Sequence, residues 1–113
     1  MLYVETKTLY KAVKAAYIPE SKMPKKSPVI LGLWITPTTN GVNTTMTNLE
    51  DIKGGNAAAH WEGDTFTACL PARALRDWLA VTRKYTDLIE IEFFDTFISV
   101  KADNTRAEFR CLS

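Results

Sequence analysis

The sequence predicts an α+β fold: two helices packed on one face of antiparallel sheets of about eight strands. Three observations predict it. Two segments of similar length, 7–18 and 70–85, place apolar residues at helical spacing. Around them lie short β-branched and aromatic runs separated by turn formers such as Asn40-Gly41, Asp95-Thr96 and Asp103-Asn104. The order along the chain reads β-α-β-β-β-β-α-β-β-β, which favours helices on antiparallel sheet over an alternating parallel one. With 113 residues, the chain is read as a single domain, 1–113, large enough for its own core.

Each element has a local reason. "LYVE" (2–5) is a short strand, and Thr6 is placed to cap the helix "KTLYKAVKAAYI" (7–18), which Pro19 ends. "PESKMPKKSP" (19–28), with three prolines and three lysines, is a loop. "VILGLWIT" (29–36) is a continuous apolar run, hence a strand buried on both faces or nearly so. "PTTNG" (37–41) is a turn and "VNTTMTNLE" (42–50) the returning strand. "DIKGG" (51–55) reads as a loop, and 56–63 with 65–70 as a further hairpin. Pro71 suits the first turn of the second helix, where its missing N–H costs nothing, and that helix runs to about Tyr85. "DLIEIEFF" (87–94) alternates Ile89, Ile91 and Phe93 with Glu90 and Glu92, a strand with one wet face. Strands at 97–101 and 105–112 follow. Each half runs helix, then three strands, the rhythm of an internal pseudo-repeat.

Composition narrows the class. An apolar fraction of 46% fits a soluble globular protein, and no uninterrupted apolar run approaches the roughly 20 residues of a membrane span. Glu5 stands where a signal peptide carries positive charge, so the expected location is cytoplasmic. Cys69 and Cys111 form no CxxC pair and read as buried thiols of a reducing compartment, with a disulfide as the alternative. His60 is the one histidine and lacks partners at ligand spacing, so no metal is expected. The "IKGGN" glycines precede no lysine–serine helix, and no nucleophile motif occurs. No catalytic site and no cofactor are expected, and the protein is read as not an enzyme.

Charge is polarised although the net value is only +1. Residues 7–26 hold six lysines against Glu20, and residues 73–84 hold three arginines and Lys84, net of Asp77 a local +3. The remainder carries four basic and eleven acidic residues. At about 100° per residue, Lys7, Lys11 and Lys14 share one arc of the first helix, opposite Leu9, Ala12, Val13 and Ala16. Arg73, Arg76, Arg83 and Lys84 span about 100° of the second, opposite Leu75, Trp78, Leu79 and Tyr85. An ordinary exposed helix mixes charge signs to gain i,i+4 pairs. Two faces of one sign fit a polyanion contacted through its backbone phosphates. No aromatic is interleaved with the basic positions, so base stacking is not expected.

Four stretches, in order, carry a family likeness: "SPVILGLWI", "TNLED", "LPARAL" and "TRAEFRCL". They resemble, at similar spacing, the Pro-Ile-Leu strand, Thr-Asp-Leu-Glu, Val-Pro-Ala-Lys-x-Leu and Ser-Arg-Phe-x-Leu segments of the bacterial sliding clamp, the beta subunit of DNA polymerase III. The likeness covers nearly the whole chain and matches the clamp's first domain. It implies a ring of six such domains whose helices line a basic hole that slides on double-stranded DNA during replication, conferring processivity without reading sequence. Carried over by position, Lys7, Lys11, Lys14, Arg73, Arg76, Arg83 and Lys84 match the lining helices, and Lys22, Lys25 and Lys26 the loop that reaches toward DNA. The strand with Phe109 and Cys111 would be an edge pairing with a neighbouring domain. Asn48 departs from the family's Asp and Cys111 from its Leu. A clamp chain holds three domains and closes as a dimer, whereas one domain must oligomerise to encircle DNA. The alternative is a stand-alone clamp-fold module, from a mobile element or phage, that binds another clamp or replication protein through its edge strand.

Overall fold

The computed structural model describes residues 1–22, 32–63 and 67–112. Strand β1 (Leu2–Glu5) leads directly into helix α1 (Thr6–Ala16), and a 3-10 turn covers Glu20–Lys22. Then come β2 (Gly32–Thr38), β3 (Gly41–Thr47), β4 (Ile52–Trp61) and β5 (Ala68–Pro71). Helix α2 (Ala72–Thr82) and the strands β6 (Leu88–Phe93), β7 (Phe97–Ala102) and β8 (Thr105–Arg110) complete the chain. The element order is the one the sequence predicts. All strands pair antiparallel in one eight-stranded sheet, ordered β5-β2-β3-β4-β1-β6-β7-β8.

The two ends of that sheet approach each other. Leu112 N–H donates to the Cys69 carbonyl at 2.9 Å, so the sheet curls into a near-barrel. The unit β-α-β-β-β occurs twice, as β1-α1-β2-β3-β4 and β5-α2-β6-β7-β8. β1 lies between β4 and β6, while β5 pairs with β2 and reaches the end of β8 through the Leu112–Cys69 bond. The pseudo-repeat is therefore present in the strand pairing as well as in the element order.

Several local expectations change. Glu5, not Thr6, is the residue before the first helical turn; Thr6 N–H donates to the Asp87 carbonyl at 2.9 Å, while the buried Thr6 hydroxyl has no hydrogen-bond partner among the described residues. Glu5 makes no cap bond to a backbone N–H; its carboxylate accepts from the Thr8 hydroxyl at 2.7 Å. α1 stops at Ala16 because Tyr17 is already extended (φ −68°, ψ 128°), two residues before Pro19. β2 is not buried on both faces: Leu33 and Ile35 are inside, and Trp34 is 37% exposed. Pro37 and Thr38 belong to β2, leaving a two-residue turn before β3.

The largest correction concerns 51–70. "DIKGG" is not a loop but the start of the ten-residue β4, and β4 does not form a hairpin with β5. Ile52–Ala58 pair with β3, and Ala59–Trp61 cross over to pair with β1. A glycine pair reads as a break in sequence, yet in a strand it lets another backbone come close. Here that backbone is α1: a Cβ on Gly55 would lie 2.9 Å from the Ala12 Cα. Thr44, the register partner of Gly55, donates its hydroxyl to the Ala12 carbonyl at 2.7 Å.

Leu2, Leu9, Leu33, Ile35, Leu75, Leu79 and Ile91 form the centre of a single core between helices and sheet. No helix among the described residues is long and apolar enough to cross a membrane. Cys69 is buried and Cys111 half-buried, and no disulfide joins them. Burial pushes the Cys69 thiol up to about 11, with Cys111 adding to the shift. A thiol held protonated contributes stability that is full below its ordinary value near 9.0 and is lost as pH rises toward 11. The expected result at pH 8 is that a thiol-specific reagent labels Cys111 first and reaches Cys69 only when denaturant is added. Equal native rates would refute it.

Candidate functional site

Both helices dock by the faces the sequence assigns, except that α2 ends at Thr82 and Tyr85, placed on its apolar face, is 76% exposed beyond it. Leu9, Ala12, Val13 and Ala16 of α1, and Ala72, Leu75 and Leu79 of α2, are buried. Lys7, Lys11 and Lys14 are exposed on the opposite side of α1. Arg73 is 68% exposed on α2, and Lys84 is exposed in the turn after it.

The helices meet through side chains that join their charged faces. The Arg76 guanidinium lies over the Tyr17 ring at 4.2 Å, and that of Arg83 over the Tyr10 ring at 4.5 Å. An early α1 residue pairs with a late α2 residue, and the reverse, so the helices run antiparallel. Because Tyr10 of α1 and Tyr17 just past its end lie beside the lysine arc, helical geometry orders the basic residues into three rows. They are Lys7, Lys11 and Lys14; then Arg76 and Arg83; then Arg73 and Lys84.

No carboxylate from the sheet pairs with these cations among the described residues. Among the described residues, the acid paired with these cations is Asp77, from α2 itself. It lies 3.0 Å from Arg76 Nη2 and 3.8 Å from Arg73 Nε. The hydrogen bond to Asp77 leads the causes that raise the pKa of the Arg76 guanidinium, which stays charged. Arg83 donates from Nε to the Ala80 carbonyl at 3.2 Å, which closes the last turn of α2.

The other predicted positions divide. Lys22 is exposed, and its carbonyl accepts from Asn48 Nδ2 at 3.2 Å, which anchors it to the β3–β4 turn rather than to either helix. Lys25 and Lys26 lie outside the described residues. Phe109, expected at an interface, lies against the domain's own core: the residue is only 8% exposed and packs edge-to-face on Trp78, ring centroids 5.9 Å apart. Alternation along β8 turns Phe109 inward and Arg106, Glu108 and Arg110 outward. Cys111 is half-buried, with its N–H bonded to the Thr96 carbonyl.

Sequence reading missed Tyr10 and Tyr17, taking the basic positions to be free of aromatics. Both rings are covered by arginines. The available signal was the matching seven-residue separation, 10 to 17 and 76 to 83. No metal-binding group of His, Cys, Asp and Glu occurs among the described residues. His60 sits exposed beside Glu62, 3.6 Å away. A shallow depression lined by Thr38, Asn40, Asn43 and Asn56 holds no titratable side chain.

No family model matches the chain, and no curated protein matches it. Solved structures do. DNA polymerase III subunit beta from Pseudomonas aeruginosa superposes with a TM-score of 0.79 at 22% identity, over 99% of this chain and 30% of that one. The Caulobacter crescentus pol III beta gives 0.81 at 18% identity, over 99% and 30%. The beta subunit from Thermotoga maritima gives 0.80 at 14% identity, over 100% and 30%. The fold is that of a sliding-clamp domain. At these identities the likeness is one of fold, and this chain spans about 30% of the length of each chain it matches.

Proposed function

We propose that this chain is a non-enzymatic, sliding-clamp-like protein of the cytoplasm. It rests its two basic helices on the phosphate backbone of duplex DNA without reading sequence, and it acts in DNA replication as a ring oligomer. The observation that carries the reading is the seam where Arg76 and Arg83 lie over Tyr17 and Tyr10, next to the lysine arc of α1, with Asp77 the acid paired with Arg73 and Arg76. Lys7, Lys11, Lys14, Arg73, Arg76, Arg83 and Lys84 make the contacts. Lys22, Lys25 and Lys26 add to them from the chain that follows α1.

The experiment is anisotropy of a short fluorescein-labelled duplex titrated across a range of KCl concentrations. Five to eight phosphate contacts give a log–log salt slope of about −5 to −7. Asp77→Asn releases Arg73 and Arg76 from a competing carboxylate and tightens binding about threefold. No affinity at low salt sinks the reading, and an unchanged affinity in Asp77→Asn places the DNA away from α2.

A second reading rests on β8, the last strand of the sheet order, whose outward side chains are charged. In it, the clamp domain adds its β8 backbone to a strand of another clamp or replication protein. Mass in solution separates the two: a sixfold mass supports the ring, and a monomer without duplex affinity supports the module.

A further inference from the structure

We propose that the α1–α2 seam is a preset phosphate grip, in which Tyr17 and Tyr10 act as positioning residues that hold Arg76 and Arg83 ready for a phosphodiester backbone. The inference rests on the DNA-contact reading above and adds the residues that shape the contact.

A guanidinium lying on an aromatic ring uses its flat face and keeps its in-plane N–H donors for a planar or tetrahedral oxyanion. The guanidinium carbons of Arg76 and Arg83 lie over their rings, 4.2 Å and 4.5 Å from the centroids. Arg83 spends only Nε, on the Ala80 carbonyl; Arg76 spends Nε and Nη2, both on Asp77 Oδ1. Among the described residues, Nη1 of Arg76 and both Nη groups of Arg83 have no protein acceptor. The donors left over are those that bind a phosphate.

Repetition makes the seam more than one chance contact. Both tyrosines and both arginines are seven residues apart, which sets the two stacks about 10.5 Å apart along the helices. A long flexible side chain loses rotamer freedom when it binds, and a side chain already stacked has lost it on folding. The outer lysines lack such support and act as mobile charges. The arginine row is thus the fixed part of the surface.

The test compares two double variants with the wild type by the same duplex titration, alongside thermal unfolding. Tyr10→Phe with Tyr17→Phe keeps both rings and is expected to bind like the wild type. Tyr10→Leu with Tyr17→Leu keeps apolar packing but removes the stacks. It is expected to bind about tenfold more weakly, with a salt slope shallower by roughly 1.8, the value of two lost phosphate contacts. A Leu pair with wild-type affinity and slope overturns the proposal. So does a Phe pair that falls as far as the Leu pair. A Leu pair that loses affinity and melting temperature while keeping its slope assigns the tyrosines to structure alone, which also overturns it. Absence of wild-type binding at low salt defeats the DNA reading itself and this grip with it.

Discussion

Reversing Lys7, Lys11 and Lys14 together to glutamate is expected to weaken duplex binding by at least about a hundredfold at low salt. The same variant should flatten the salt slope by about 2.7. Each lysine lost removes one phosphate contact, and each glutamate gained repels the same phosphate. The fold should not suffer. All three lysines are exposed, opposite the buried arc of α1, and the first turn of that helix holds no acidic residue. Glu at position 7 gains at the positive end of the helix dipole and Glu at position 14 loses about as much at the negative end, so the melting temperature should hold. Loss of binding therefore cannot be laid to unfolding. Lys53→Glu with Lys101→Glu is the control, since both side chains are exposed on strands. Equal losses in the two variants would show that net charge, not the helical layer, governs the contact.

Gly55→Ala is expected to destabilise the domain by about 3 kcal/mol, lowering its melting temperature by roughly 10 °C. The new Cβ would lie 2.5 Å from the Ala12 carbonyl oxygen and 2.9 Å from the Ala12 Cα, both backbone atoms that cannot swing aside. Relief requires α1 to rise off β4. That stretches the Thr44 hydroxyl bond to Ala12, and Thr44 is buried with nowhere to turn. Gly54→Ala is the comparison. Its Cβ would meet only the Thr44 carbonyl oxygen, at 3.1 Å on an exposed position, and should cost well under half as much. Matching losses from the two alanines would mean that strand entropy, not helix–sheet contact, sets the cost of a side chain here.

Positions 54 and 55 also mark the limit of what a sequence discloses. Two adjacent glycines after a charged turn carry the composition of a loop, and nothing local distinguishes that from a strand crossed closely by a helix. The distinction lies in Ala12, more than 40 residues away. The supposed hairpin of 56–63 with 65–70 failed for the same reason. Sequence neighbours usually pair, but β4 is taken by β3 and β1, and β5 by β2. Phe109 gave the opposite lesson. Its alternation with Arg106, Glu108 and Arg110 was legible, but the cover that Trp78 of α2 gives it was not.

What the sequence determined by itself was everything set by short periods. Apolar spacing of 3.6 residues fixed which arc of each helix is buried and which carries Lys7, Lys11, Lys14 and Arg73. Alternation of two fixed the inward sides of β6 and β8. Turn formers set the element count and order, and hence the α+β class. Tertiary structure alone decided which elements lie side by side. It set α1 antiparallel to α2, placed Tyr17 and Tyr10 beneath Arg76 and Arg83, and seated Ala12 on Gly55. Local periodicity reports each segment's orientation to water. Which partner covers it depends on packing the whole chain into one volume, where contacts between residues far apart in sequence are chosen together.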